Sequence, residues 1–110
     1  MEALLGGFDE KVVGFWYDVG HAQTQDCLGF HSHETWLDCL GSRLVGVHLH
    51  DVIGLDDHYA PGMGEVDWDM VASHLPPGIH RTLEVQTFNT PQQIQDGIQY
   101  LIDKKCLFYL

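Results

Sequence analysis

The sequence predicts an α/β chain in which three short parallel strands are each followed by a helix. Three observations lead there. Apolar runs of strand length recur about every thirty residues, the spacing of right-handed βα units. Segments with helical periodicity and helix start and stop residues lie between and after them. The 110 residues, 45% of them hydrophobic, suit one domain spanning 1–110 with a buried core.

The first run is Val12-Val-Gly-Phe-Trp-Tyr17, the second Leu44-Val-Gly-Val-His-Leu49 and the third Arg81-Thr-Leu-Glu-Val85. Each is largely β-branched, aromatic or aliphatic, as in strands buried in a parallel sheet. Residues 35–40 place Trp36, Leu37 and Leu40 on one helical face, and Gly41 can stop that helix. Asp67 can cap a second helix containing Met70, Val71 and Leu75, ended by Pro76-Pro77-Gly78. Thr90-Pro91-Gln92-Gln93 reads as a capping box with proline in the first turn. It opens a last helix whose apolar stripe is Ile94, Ile98, Leu101 and Ile102. This order of elements fits an open flavodoxin-like sheet and a piece of a barrel equally well.

Charge and composition exclude several classes. The formal net charge is −11, with five Lys and Arg against sixteen Asp and Glu. The basic residues are scattered, so no patch is available to displace counterions from phosphates, which counts against nucleic acid as a partner. No apolar run approaches the ~18–20 residues that span a bilayer, so no membrane is expected. The first ten residues lack the basic start and apolar stretch of a secretory signal, and a cytoplasmic protein is expected. Cys27, Cys39 and Cys106 have no metal-finger spacing and read as free thiols in a reducing compartment.

Ionisable groups gather at the ends of the runs. Asp18 closes the first, and His21 follows in the turn. His48, His50 and Asp51 close the second, with Asp56 and His58 in the loop beyond. Glu84 lies near the end of the third, between Leu83 and Val85. All fall on the carboxyl edge of a parallel sheet, where α/β folds place their chemistry. Carboxylates and imidazoles at buried strand ends are costly unless paired, and a divalent cation relieves both desolvation and mutual repulsion. Such a mixed donor set suits Zn²⁺, Mn²⁺, Co²⁺ or Fe²⁺. His50 and Asp51 could instead solvate the strand end or hydrogen-bond behind a ligand. His31 and His33 read as loop or cap residues, and His74 and His80, on the opposite edge, as structural.

Taken together, Tyr17-Asp-Val-Gly-His-Ala22, Arg43-Leu-Val-Gly-Val-His-Leu-His-Asp51, Asp56-Asp-His-Tyr-Ala-Pro-Gly-Met-Gly-Glu-Val-Asp-Trp68 and Leu83-Glu-Val85 resemble the xylose isomerase-like TIM-barrel superfamily. That superfamily includes sugar-phosphate isomerases and epimerases, inosose dehydratases, hydroxypyruvate isomerases and endonuclease IV. The resemblance implies a partial (β/α)8 barrel, its three C-terminal βα units. It implies metal ligation by Asp18, His48 and Glu84, with His21 touching metal or substrate. Asp56 and His58 match the Asp-x-His pair of the multi-metal members. Glu84 also resembles the acid/base of the epimerases, so Glu84 and His21 are the catalytic candidates. His21, His50 and Trp16 are the substrate-binding candidates.

The expected protein is then a metal-dependent sugar or sugar-phosphate isomerase or epimerase, using Mn, Zn, Mg or Co on a small sugar or polyol. The alternatives are an endonuclease IV-like hydrolase at abasic DNA sites and a non-catalytic truncated barrel. A complete barrel needs roughly 250 residues, and no residue here supplies the family's glutamate from an earlier strand. A homo-oligomer or a missing N-terminal barrel half is therefore expected as partner. The stretch Val52-Ile-Gly-Leu55 also lacks the arginine that ketose epimerases place near substrate.

Overall fold

The computed structural model describes residues 14–108. Along the chain run β1 (Phe15–Asp18), α1 (Val19–Cys27), α2 (His33–Leu40), a 3-10 turn (Gly41–Arg43) and β2 (Leu44–Leu49). They are followed by β3 (Asp51–Ile53), β4 (Asp56–Tyr59), α3 (Trp68–His74), β5 (His80–Leu83) and α4 (Pro91–Asp103). Val12 and Val13, where the first strand was expected to begin, lie outside the described residues.

The three expected strands form one parallel sheet in the order β1-β2-β5. Residues level with one another in parallel strands share a face. The register aligns Trp16, Gly46 and His80, then Asp18, His48 and Thr82. Tyr17, Val47 and Arg81 alternate with them and face the other way, as do Leu49 and Leu83. The second face makes the core: Tyr17, Val47 and Leu49 are buried with Leu37, Trp68, Val71 and Leu101 of the helices. The first face carries the polar groups. The architecture is α/β, a three-stranded parallel sheet with its helices on one side.

Local chemistry explains where the helices start. Thr90 Oγ1 accepts the Gln93 amide at 3.1 Å, and the Gln93 side chain accepts the Thr90 amide at 2.8 Å. The predicted capping box therefore opens α4, with Pro91 just inside it. Asp67 caps α3 by accepting the Met70 amide at 3.1 Å. Leu75 is extended, as the residue before a proline is biased to be.

Several expectations are corrected. The expected turn after β1 is helix α1, whose mostly polar sequence VGHAQTQDC offers no apolar stripe. The segment after β2, expected as a loop, contains the antiparallel hairpin β3–β4. In α4 the buried residues are Gly97 and Leu101, while Ile98 is exposed. That helix is turned so that Gly97 meets Pro61. His33 is not a loop residue: it begins α2 and is buried, stacked on Tyr17 with ring centroids 5.6 Å apart. Burial pushes its imidazole down to about 4, against the pull of Asp26 and Asp67.

Asp51 was expected to solvate a strand end, yet it is fully buried. Its Oδ1 accepts the amides of Val52 at 2.9 Å and Val66 at 3.1 Å. Its Oδ2 accepts the Gly62 amide at 2.8 Å and Trp68 Nε1 at 3.1 Å. One carboxylate thus organises the chain from β3 to α3. The far side of the hairpin is held by Asn89, whose Oδ1 accepts the Ala60 amide at 2.9 Å and whose Nδ2 donates to the His58 carbonyl at 2.9 Å.

Candidate metal centre

Asp18 sits where β1 turns into α1, and that junction shapes it. Its Oδ1 accepts the His21 amide at 2.9 Å as the cap of α1. The same oxygen accepts His50 Nε2 at 2.7 Å. Oδ2 is turned toward two imidazoles, 3.5 Å from His21 Nδ1 and 3.7 Å from His48 Nδ1. Burial alone would push this carboxyl up. The hydrogen bonds from the His50 ring and the His21 amide outweigh it and hold the group at about 2.

A carboxyl held below its ordinary 3.8 stabilises the fold while ionised, and the contribution is lost as pH falls from about 4 to about 2. Urea unfolding of wild type and Asp18→Asn should therefore show a stability gap at pH 6 that narrows progressively below pH 4. A gap independent of pH would contradict the assigned hydrogen bonding.

His48 lies level with Asp18 on β2, and its Nδ1 is 3.2 Å from Glu84 Oε2. Glu84 follows β5 directly, and its amide donates to the Leu49 carbonyl at 3.0 Å, continuing the ladder. The expected strand Arg81–Val85 is therefore His80–Leu83, with Glu84 one residue past its end. Its side chain is 44% exposed rather than enclosed, because it points from the polar face. Trp16 lies across Gly46 on that face, where a Cβ would overlap its ring. The indole stacks on His80 at 6.0 Å and tilts toward His48 at 5.4 Å.

The hairpin brings in the last members. His58 has φ 65°, a left-handed conformation that costs a non-glycine residue roughly 1–2 kcal/mol. Such a residue breaks the alternation of the strand, so Asp57 and His58 end on the same side, with His58 Nδ1 2.6 Å from Asp57 Oδ1. Asp57 Oδ2 is 3.6 Å from His21 Nε2, and His58 Nε2 is 3.9 Å from Glu84 Oε1. Asp56 is exposed, and no ion pair links it to the cluster among the described residues; it lines a groove of about 290 Å³ together with Leu55, Asp57, Tyr59, Gln86 and Phe88.

Asp18, His21, His48, His58 and Glu84 are thus brought together as expected, and Asp56 is not. Asp57 is the aspartate of the pair that faces His21, which composition could not signal because the two aspartates are adjacent. Among the described residues three triads have potential ligand atoms within 4.8 Å of one another; Glu34, Asp38 and His74 lie outside this cluster, and the two within it are His21, His50 and His58, and Asp18, His50 and Glu84. His50 is common to both, yet it is fully buried with both ring nitrogens hydrogen-bonded inside the protein. That leaves it no atom for the substrate contact expected of it.

The sequence profile of the xylose isomerase-like TIM barrel matches residues 1–104. The chain belongs to that family. It is also similar to the uncharacterized protein y4fM of Sinorhizobium fredii (strain NBRC 101917 / NGR234), with 32% identity over 89 residues. The match covers 80% of this chain and 27% of that protein, so the chain spans about a quarter of the relative's length. No solved structure matches the chain. Asp18, His48 and Glu84 stand at or just past the carboxyl ends of parallel strands, on the face that a barrel turns inward. Among the described residues no helix is long and apolar enough to cross a membrane.

Proposed function

We propose that this chain carries the divalent-metal site of a sugar or sugar-phosphate isomerase or epimerase. The observation that carries this reading is the convergence of Asp18 Oδ2, His48 Nδ1 and Glu84 Oε2, with neighbouring separations of 3.7 and 3.2 Å. Ligands on adjacent corners around an ion at ~2.1 Å stand ~3–3.4 Å apart, and the two separations from His48 lie near that range, so modest side-chain adjustment would bring these groups onto one cation. The donor set suits Mn, Zn, Co or Mg. Free Cys27, Cys39 and Cys106 accord with a reducing, cytoplasmic setting.

A cation held there would act as a Lewis acid on the hydroxy-carbonyl group of a small sugar or polyol, acidifying the neighbouring C–H. The chain's own residues would move the proton. Glu84 Oε1 faces His58 rather than His48, and it would take the carbon-bound proton and return it as general base and acid. His21, whose side chain is 57% exposed, would orient a substrate hydroxyl. Trp16 offers a half-exposed aromatic surface for the sugar's apolar face. The polar sheet face and the edges of β1 and β5 would be completed by the rest of a barrel or by a second copy of the chain.

Calorimetric titration with Mn²⁺ and Zn²⁺ is expected to give one ion per chain, with Glu84→Gln weakening it at least about tenfold. Metal-dependent exchange of the α-proton of small ketoses with D₂O, read by NMR, should disappear in the same variant. Absence of metal binding would sink the proposal. Cleavage of an abasic-site duplex without any sugar exchange would replace it with the endonuclease reading, which the outward position of Asp56 disfavours.

A further inference from the structure

His50 is connected differently from the other imidazoles. Its Nδ1 lies 3.0 Å from the His58 backbone nitrogen, and its Nε2 lies 2.7 Å from Asp18 Oδ1. A backbone N–H can only donate. Nδ1 therefore presents its lone pair, and the ring proton sits on Nε2, where it donates to Asp18. A ring with this tautomer has no lone pair for a cation. Ligation through Nε2 would require either an imidazolate or a proton moved to Nδ1, and that proton would face the His58 N–H. A doubly protonated ring meets the same obstacle. His50 is thus excluded as a ligand although it lies within 4.8 Å of ligand atoms of His21 and His58, and of Asp18 and Glu84.

What the ring does instead is visible in its contacts. By taking one share of Asp18 Oδ1, together with the His21 amide, it leaves Oδ2 as the oxygen facing His48. By accepting the His58 amide it holds that residue in its left-handed conformation, and the two rings stack at 4.3 Å, 6° from parallel. Room for the buried ring comes from Gly20 in α1, where a Cβ would overlap it.

We propose that His50 is a positioning residue: it ligates no ion, presents Asp18 through Oδ2 alone, and sets His58 against Glu84 and Asp57. Its purpose rests on the metal-site reading above. The tautomer does not.

Two-bond ¹H–¹⁵N NMR of histidine-labelled protein, with and without Zn²⁺, tests the assignment. The Nε2–H tautomer of His50 should appear in the zinc-free protein and persist at zinc saturation. An Nδ1–H ring, or a zinc-induced shift at Nε2, would overturn it. In calorimetry His50→Gln should bind zinc about 10–100-fold more weakly, still with one ion per chain. Unchanged affinity in a folded variant, checked by circular dichroism, would also overturn the role. Should wild type bind no zinc, the metal reading falls, and the zinc-free spectrum still decides: Nε2–H supports the positioning of Asp18 and His58, and Nδ1–H refutes it.

Discussion

Asp51→Ala is expected to destabilise the protein by more than about 4 kcal/mol, among the largest effects of any single change. The carboxylate is fully buried and accepts from Val52, Gly62, Val66 and the Trp68 indole. Truncation leaves four donors unpaired, each worth ~1–3 kcal/mol when it stays dry. Water entering the vacated space recovers part of this, so the sum overstates the effect. Against a total stability of ~5–15 kcal/mol the remainder is still severe. Asp51→Asn should help little, because its amide group turns donors toward donors. Urea unfolding gives the stability, and Trp68 fluorescence reports the loop. Exposed Asp56→Ala is the control, expected within ~0.5 kcal/mol of wild type. A loss below 1 kcal/mol for Asp51→Ala, by order of magnitude, would mean that the carboxylate does not organise the chain from β3 to α3.

Gly20→Ala should have the second largest effect, and it should act on both stability and metal binding. Two forces oppose one another. Alanine is favoured over glycine in a helix by about 1 kcal/mol. The new Cβ, however, would overlap Cε1 and Nδ1 of the His50 ring. Overpacking of this kind costs typically ~1–3 kcal/mol, and His50 cannot move without loosening its bonds to Asp18 and His58. The clash should win, giving net destabilisation of ~1–2 kcal/mol and metal affinity about tenfold lower or worse. A double-mutant cycle isolates the cause. In a His50→Ala background the clash is gone, so Gly20→Ala should become neutral or stabilising. Equal effects in both backgrounds would show that the glycine matters for another reason.

Much of the frame was legible from residue types. Three apolar runs became the three parallel strands, because short β-branched and aromatic stretches at βα spacing have few other uses. Thr90-Pro91-Gln92-Gln93 opened a helix because both halves of its capping interaction are local. Asp18, His48 and Glu84 met because charged groups at equivalent strand ends of a parallel sheet must converge. Where periodicity is weak, reading failed. Helix α1 buries only Val19, Gly20 and Ala22, too little for an apolar stripe. The strand Asp56–Tyr59 is almost wholly polar and carries a left-handed His58, so it reads as a loop.

By itself the sequence determined the α/β class, the three parallel strands and the metal-ligand candidates at one edge, since these follow from local patterning and strand direction. Only the tertiary structure decided that Asp57 rather than Asp56 faces His21, that Asp51 is a buried anchor and that His50 is buried between Asp18 and the His58 amide. Each of those outcomes depends on partners brought together by folding. Asp57 faces the site through one unusual backbone angle. Asp51 is anchored by amides 11 and 15 residues away. The tautomer of His50 is set between an aspartate 32 residues upstream and an amide 8 residues downstream. A hydrogen-bond donor has a direction, and that direction exists only once the chain has folded.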